Sequence, residues 1–145
     1  MVQSYLYRTE DDVDELLKLG TNFRICKGAY KEPASIAFPD KKDVDKNFVK
    51  ISEKFLLSKT YQAFGTHDEK IINHIKDFTK DKKISKTDFE FQMLYGIRRK
   101  LQKQLTDDGF NVRIYVPYGE EWYPYTMRRF AESKHNVWFV LKDLL

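Results

Sequence analysis

Five short runs of β-favouring side chains, separated by stretches with helical apolar spacing, constrain this chain more than any other feature. The runs are "VQSYL" (2–6), "NFRIC" (22–26), "YQAF" (61–64), "FEFQM" (89–93) and "VRIYV" (112–116), each short enough for one buried strand. Between the first two, Thr9 opens "TEDDVDELLKLG" with a cap-type residue, acids in the first turn and Gly20 as a stop. Val44, Phe48, Ile51 and Phe55 then fall on one helical stripe, as do Ile71, Ile75 and Phe78. Arg98 begins a further helix rich in Lys and Gln and is expected to be exposed. Strand and helix alternating along the whole chain predict an α/β fold of parallel βαβ units. Each strand run leads into a polar or glycine-bearing turn: Arg8, "KGAY" (27–30), "GTHD" (65–68), "LYG" (94–96) and "PYG" (117–119). The carboxyl edge of a parallel sheet is where such folds bind ligands, so the chemistry is expected there.

At 145 residues the chain suits one domain, residues 1–145. Its 26 basic and 22 acidic residues give a formal charge of +4, intermixed along the chain. Basic residues thicken at Lys80–Lys86 and at Arg98–Lys100, which keeps a nucleic-acid partner as a rival reading beside plain solvated faces. The single Cys26 can form no internal disulfide, and the three histidines lack a metal-ligand spacing. A reducing, cytoplasmic setting and no metal are expected. The sequence holds neither a membrane-spanning apolar run nor a signal peptide. Walker and GxGxxG loops are absent, as are a Ser/His/Asp arrangement and carboxylate pairs at strand ends.

Four stretches carry candidate chemistry. In "RICKGAYKEP" (24–33), Arg24 lies inside the strand-like run and Lys27 just beyond it, next to Gly28 and Ala29, small residues that allow a phosphate or planar ring to approach the backbone. The same spacing also fits a strand with one solvent-facing side and a glycine turn. In "AFGTHDEK" (63–70), Thr66 and His67 stand at a strand end, where a neutral imidazole can hydrogen-bond a ligand or move a proton. Asp68 is expected to cap the following helix. "VRIYVPYGEEWYPY" (112–125) crowds Tyr115, Tyr118, Trp122, Tyr123 and Tyr125 together, as core or lid packing or as a stacking surface. In "YTMRRFAES" (125–133), Arg128 and Arg129 diverge by about 100° on a helix. Either one is simply solvated or both converge on a small anion from two directions.

Taken in this order and at these intervals, "RICKGAY", "THD", "FEFQMLYGIR", "VRIYVPYG" and "YTMRRFAE" resemble the C-terminal part of proline dehydrogenase, closest to its small single-function bacterial form. The resemblance runs from Val2 to Leu145 and implies about five β/α units from the C-terminal portion of a (β/α)8 barrel that holds FAD at its strand ends. It implies that Gln3 contacts the flavin ring and that Arg24 lies beside the hydride-accepting nitrogen as the catalytic cation. Lys27, Gly28 and Ala29 would hold the ribityl and phosphate region, with Thr66 and His67 the next cofactor contact. Tyr30, Leu94 and Tyr115 would wall the substrate pocket. Arg128 and Arg129 would grip the proline carboxylate, and Glu132, one turn on, would hold an arginine and contact cofactor. The implied reaction is hydride transfer from L-proline to FAD, giving pyrroline-5-carboxylate, with electrons passing to a quinone at a membrane surface.

The chain departs from the family pattern in two places. A barrel of this type takes roughly 250 residues, and the strands expected to bear the substrate-binding lysine and catalytic aspartate are not in this sequence. Ser133 stands where the family usually has arginine. An open five-strand sheet is expected to self-associate through its exposed edge, to bind FAD poorly and to turn over slowly. The competing class is a small basic α/β module for nucleic acid or a phosphorylated metabolite, or an inert gene fragment.

Overall fold

A computed structural model describes residues 1–28, 30, 32–58, 60–120, 123, 124 and 127. Strand and helix alternate as β1 (Val2–Gln3), α1 (Thr9–Lys18), β2 (Phe23–Cys26), α2 (Lys41–Leu56), β3 (Gln62–Gly65), α3 (Glu69–Asp81), β4 (Phe89–Leu94), α4 (Arg99–Asp107) and β5 (Asn111–Tyr115). All five strands form one parallel sheet in the order β1-β2-β3-β4-β5. Each neighbour in space is thus the next strand in sequence, as successive βαβ units produce. The fold is α/β with a parallel sheet.

Strand register separates two faces. Ile25, Phe64, Phe91 and Val112 are partners across β2 to β5. Their row joins the apolar cluster that takes Phe48, Ile51 and Phe55 from α2, Ile72 and Ile75 from α3, and Leu105 from α4. Fully burying one such side chain contributes roughly 1.5–3 kcal/mol, so this face holds the helices to the sheet. The flanking rows are polar: Arg24, Ala63, Glu90 and Asn111 at one level, and Cys26, Gly65, Gln92 and Arg113 two residues further along. Because successive strand residues alternate in direction, these two rows share the opposite face.

Helix ends follow local chemistry, with two departures from expectation. Asp68 caps α3 by accepting from Lys70 N–H at 3.1 Å, and Gly20 takes φ +63° just after α1. Thr9, however, is the first residue of α1 rather than its cap, and its hydroxyl donates to the Gln3 carbonyl. The threonine is buried and secures the end of β1, a tertiary demand that overrides the capping preference. Arg98 is half-buried rather than exposed: it takes a left-handed φ of 53° before α4, and its guanidinium reaches Glu69 at 3.1 Å. "VQSYL" supplies only two strand residues, since Tyr5 and Leu6 leave the sheet to pack on the turn after β2 and to bridge Ala37.

Candidate active site at the carboxyl edge

Gln3, Lys27, Gly28, Thr66, His67, Leu94 and Tyr115 all lie at or just beyond the carboxyl ends of their strands, while Arg24, the second residue of β2, reaches towards that edge through its side chain, which lies against Gly65 at the end of β3. Past β1 the backbone still holds to the end of β2, with Ser4 N–H donating to Cys26 O at 2.9 Å and Tyr5 N–H to Lys27 O at 3.0 Å. This seats the Tyr5 ring against Gly28. A Cβ at Gly28 would stand 2.2 Å from Tyr5 Cδ1, and φ is +98°, so this turn requires glycine on both counts. Arg24 lies across Gly65 on the polar face, its Nε 2.6 Å from where a Cβ there would stand. The bare glycine backbone leaves room for the guanidinium to lie flat on the sheet.

Lys27 is engaged by protein carboxylates. Its Nζ sits 2.5 Å from Asp45 Oδ1 and 2.6 Å from Asp68 Oδ2, and Lys41 reaches Asp45 at 2.5 Å. The cluster ties the turn after β2 to α2 and to the cap of α3. Burial pushes the Asp68 carboxyl up, but the Lys27 hydrogen bond and charge, the Lys70 N–H and Lys41 together hold it below the ordinary value. Thr66 is buried, and its hydroxyl accepts from Asp68 N–H at 3.1 Å, which shapes the same turn. Sequence reasoning missed Asp45, which lies 18 residues from Lys27 and meets it only through the fold.

His67 joins two strand ends. The Leu94 backbone N–H donates to His67 Nε2 at 2.8 Å, so Nε2 is unprotonated and the imidazole proton resides on Nδ1. Burial, and then the charges of Arg98 and Arg24, push its pKa down to about 4. A neutral imidazole with Nδ1–H as a donor is the form a ligand at this edge would meet. The Leu94 carbonyl in turn accepts from Gln102 at 2.9 Å, which anchors the start of the β4–α4 turn.

The polar face carries a network that single motifs did not disclose. Glu90, 5% exposed, accepts from Arg113 Nε at 2.6 Å and Nη2 at 2.9 Å, from Gln92 Nε2 at 2.5 Å and from Tyr61 OH at 3.1 Å. Forked hydrogen bonding from Arg113 holds the carboxyl below its ordinary value despite burial. Beside it, Arg24, Tyr61, Ala63, Gln92 and Arg113 line a shallow depression of about 260 Å³. The alternation in "FEFQM" was the available signal, since it puts Glu90 and Gln92 on one face and three apolar residues on the other.

Of the expected pocket walls, Tyr30 and Tyr115 are 62% and 57% exposed, while Leu94 is half-buried. Ala29, Arg128, Arg129, Glu132 and Ser133 lie outside the described residues. Among the described residues no group of three His, Cys, Asp or Glu side chains converges as a metal site. The edge therefore offers cations, amide and imidazole donors and glycine-lined backbone, a set suited to an anionic or hydrogen-bonding organic ligand.

Known proteins resemble the chain in sequence and fold. A family model described as proline dehydrogenase matches residues 1–142. The chain is 49% identical over 144 residues to proline dehydrogenase 2 of Bacillus subtilis strain 168, an overlap that takes in 99% of this chain and 48% of that protein. It is 50% identical over 145 residues to the proline dehydrogenase of Deinococcus radiodurans, covering 100% of this chain and 47% of the relative. Among solved structures, proline utilization A from Bdellovibrio bacteriovorus superposes with a TM-score of 0.75 at 27% identity, over 82% of this chain and 14% of that one. The chain thus spans about half the length of the curated relatives it matches. Since the family match and both of these sequence alignments run nearly end to end through the strand-edge motifs, the chain belongs to the proline dehydrogenase family.

Proposed function

We propose that residues 1–145 form a single domain contributing five consecutive β/α units to a (β/α)8 barrel that oxidises L-proline to pyrroline-5-carboxylate with FAD. Family membership supports the reading, and one observation carries it: His67, Leu94 and Tyr115 lie at the carboxyl ends of three neighbouring strands, and the Arg24 side chain from the adjacent β2 lies against Gly65 at the end of β3. The residues suit a flavin. Gly28 and Gly65 keep the strand ends bare where side chains would crowd Tyr5 and Arg24, and His67 presents a neutral N–H donor. When bound, FAD supplies the hydride acceptor for the carbon beside the proline nitrogen.

In this reading Arg24 stabilises negative charge as the reaction proceeds, from a position fixed over Gly65. Gln3 and His67 hydrogen-bond the cofactor, and Thr66 shapes the turn that carries His67. Gly28 and Ala29 admit the ribityl and phosphate region. Lys27 acts there by holding the turn rigid and by residual positive field, since its ammonium already meets Asp45 and Asp68. Tyr30, Leu94 and Tyr115 enclose the proline ring, Arg128 and Arg129 bind its carboxylate, and Glu132 orients one of them and contacts cofactor. A quinone-type acceptor takes the electrons at a cytoplasmic membrane surface. No helix among the described residues is long and apolar enough to cross a membrane, so contact of this part would be peripheral.

The test is complementation. The purified chain, given FAD, proline and a dye acceptor, should show weak flavin retention and slow dye reduction. Adding the first half of the Deinococcus radiodurans relative should raise both together, and Arg24→Met should abolish the gain in dye reduction. Failure of the added half to raise either, alongside salt-sensitive binding of the chain to DNA or RNA, would overturn the proposal.

A further inference from the structure

We propose that Glu90 is a positioning residue: its carboxylate turns the Gln92 amide so that the amide oxygen faces away from Glu90 as an acceptor, and clamps Arg113 so that β5 presents Tyr115 beside β4. The bearing of this device on ligand binding rests on the proposed flavin site. An ionised carboxylate can only accept, so the atom of Gln92 lying 2.5 Å from Glu90 Oε1 must be the NH2 group. The amide oxygen therefore points elsewhere, and no described side chain donates to it. Gln92 is level with Gly65, the residue over which Arg24 lies. An acceptor of fixed direction thus stands beside a cation of fixed position, a pairing that fits a planar ring with adjacent N–H and acceptor groups.

Arg113 supplies the second half of the device. Its fork closes on both Glu90 oxygens, although the arginine side chain is 68% exposed and would hydrate readily if released. Tyr115 lies two residues further along β5, on the same face. Tyr61 and Asn111 complete the belt, with Asn111 donating to Tyr61 OH at 3.3 Å and to Thr87 O at 3.2 Å. Glu90 accordingly links groups from the approach to β3, from β4 and from β5.

Stability and orientation can be separated here. Glu90→Leu removes every acceptor while leaving Arg113 and Gln92 able to meet water, so the thermal midpoint should change little. Glu90→Gln keeps one acceptor and guards against a folding defect in the first variant. In 15N-labelled protein the Gln92 side-chain amide pair, assigned by its loss in Gln92→Leu, should shift in Glu90→Leu and stay in place in Arg113→Met. In the complemented protein, FAD affinity should fall roughly tenfold in Glu90→Leu, within the range of coupling seen between contacting groups. An amide signal that does not move in either Glu90 variant would overturn the proposal, as would a released amide with unchanged FAD affinity. Absence of flavin uptake by the complemented wild type would instead count against the proposed function. The amide signals alone would then decide whether Glu90 orients Gln92.

Discussion

At Gly28 two penalties coincide that are separate at Gly20. Both glycines have positive φ, but a Cβ at Gly20 meets nothing within 4 Å, whereas one at Gly28 drives into the buried Tyr5 ring. Gly20→Ala should therefore cost about 1 kcal/mol from backbone conformation alone. Gly28→Ala adds overpacking of roughly 1–3 kcal/mol, and the difference should be visible in denaturant unfolding of the two variants. Equal losses would mean that Tyr5 yields freely. His67 gives a pH prediction at the same scale. Its folded pKa, about 4, lies below the unfolded value near 6.5. Between these two pH values the unfolded chain binds a proton that the native chain refuses. Stability should thus be level with respect to His67 above about pH 6.5, then fall by up to roughly 1.4 kcal/mol per pH unit towards pH 4. His67→Gln should flatten that part of the profile, and an unchanged slope would relocate the titration to another group.

The Lys27 cluster sets the strength of the link between the turn after β2 and helices α2 and α3. Lys27→Met would leave Asp45 and Asp68 facing one another with Lys41 as their shared cation, and should destabilise the chain by about 1–3 kcal/mol, discounted for partial exposure. Adding Asp45→Leu should recover part of the loss; a further loss would mean that Asp45 acts through other partners. The depressed Asp68 pKa fixes the sign with pH. The wild-type advantage over Lys27→Met should be full above the unfolded carboxyl range and shrink as pH falls through the lower folded value. Among the described residues the five strands and four helices were legible because β-favouring runs, helical apolar spacing and cap signals depend on neighbours in sequence. The ends of these elements were less legible. Thr9 resembles a cap, yet its hydroxyl is taken by Gln3, and Arg98 resembles a surface cation, yet Glu69 draws it inward. Each outcome depends on a partner from another element, as does the Asp45 grip on Lys27. The motif "GTHD" puts His67 just past the end of β3, whereas Arg24 is the second residue of β2 and meets the end of β3 only through its side chain, and the tautomer of His67 is set by a backbone N–H 27 residues away.

On the scale of the whole molecule, the sheet has one apolar face covered by helices and one polar face carrying Arg24, Glu90, Gln92 and Arg113. Among the described residues, β1 and β5 each have a single strand neighbour and do not pair with one another. β1 contributes only two residues, a poor template, whereas β5 offers five, followed by exposed Val116 and Tyr118. Strand addition should therefore favour β5, where main-chain groups and apolar side chains are available together. The polar face adds a reason for specificity: a second copy laid against it would bring like-charged arginines together, while a complementary set of β/α units could supply partners and extend the sheet from both edges. We therefore expect the isolated chain to self-associate weakly and without a fixed stoichiometry. In sedimentation velocity its mean coefficient should rise with concentration across the micromolar range, where exposed edges begin to associate. Addition of the first half of the Deinococcus radiodurans relative should replace that spread with one 1:1 species. A chain that sediments as a monomer throughout, and ignores the added half, would show that its edges are already protected.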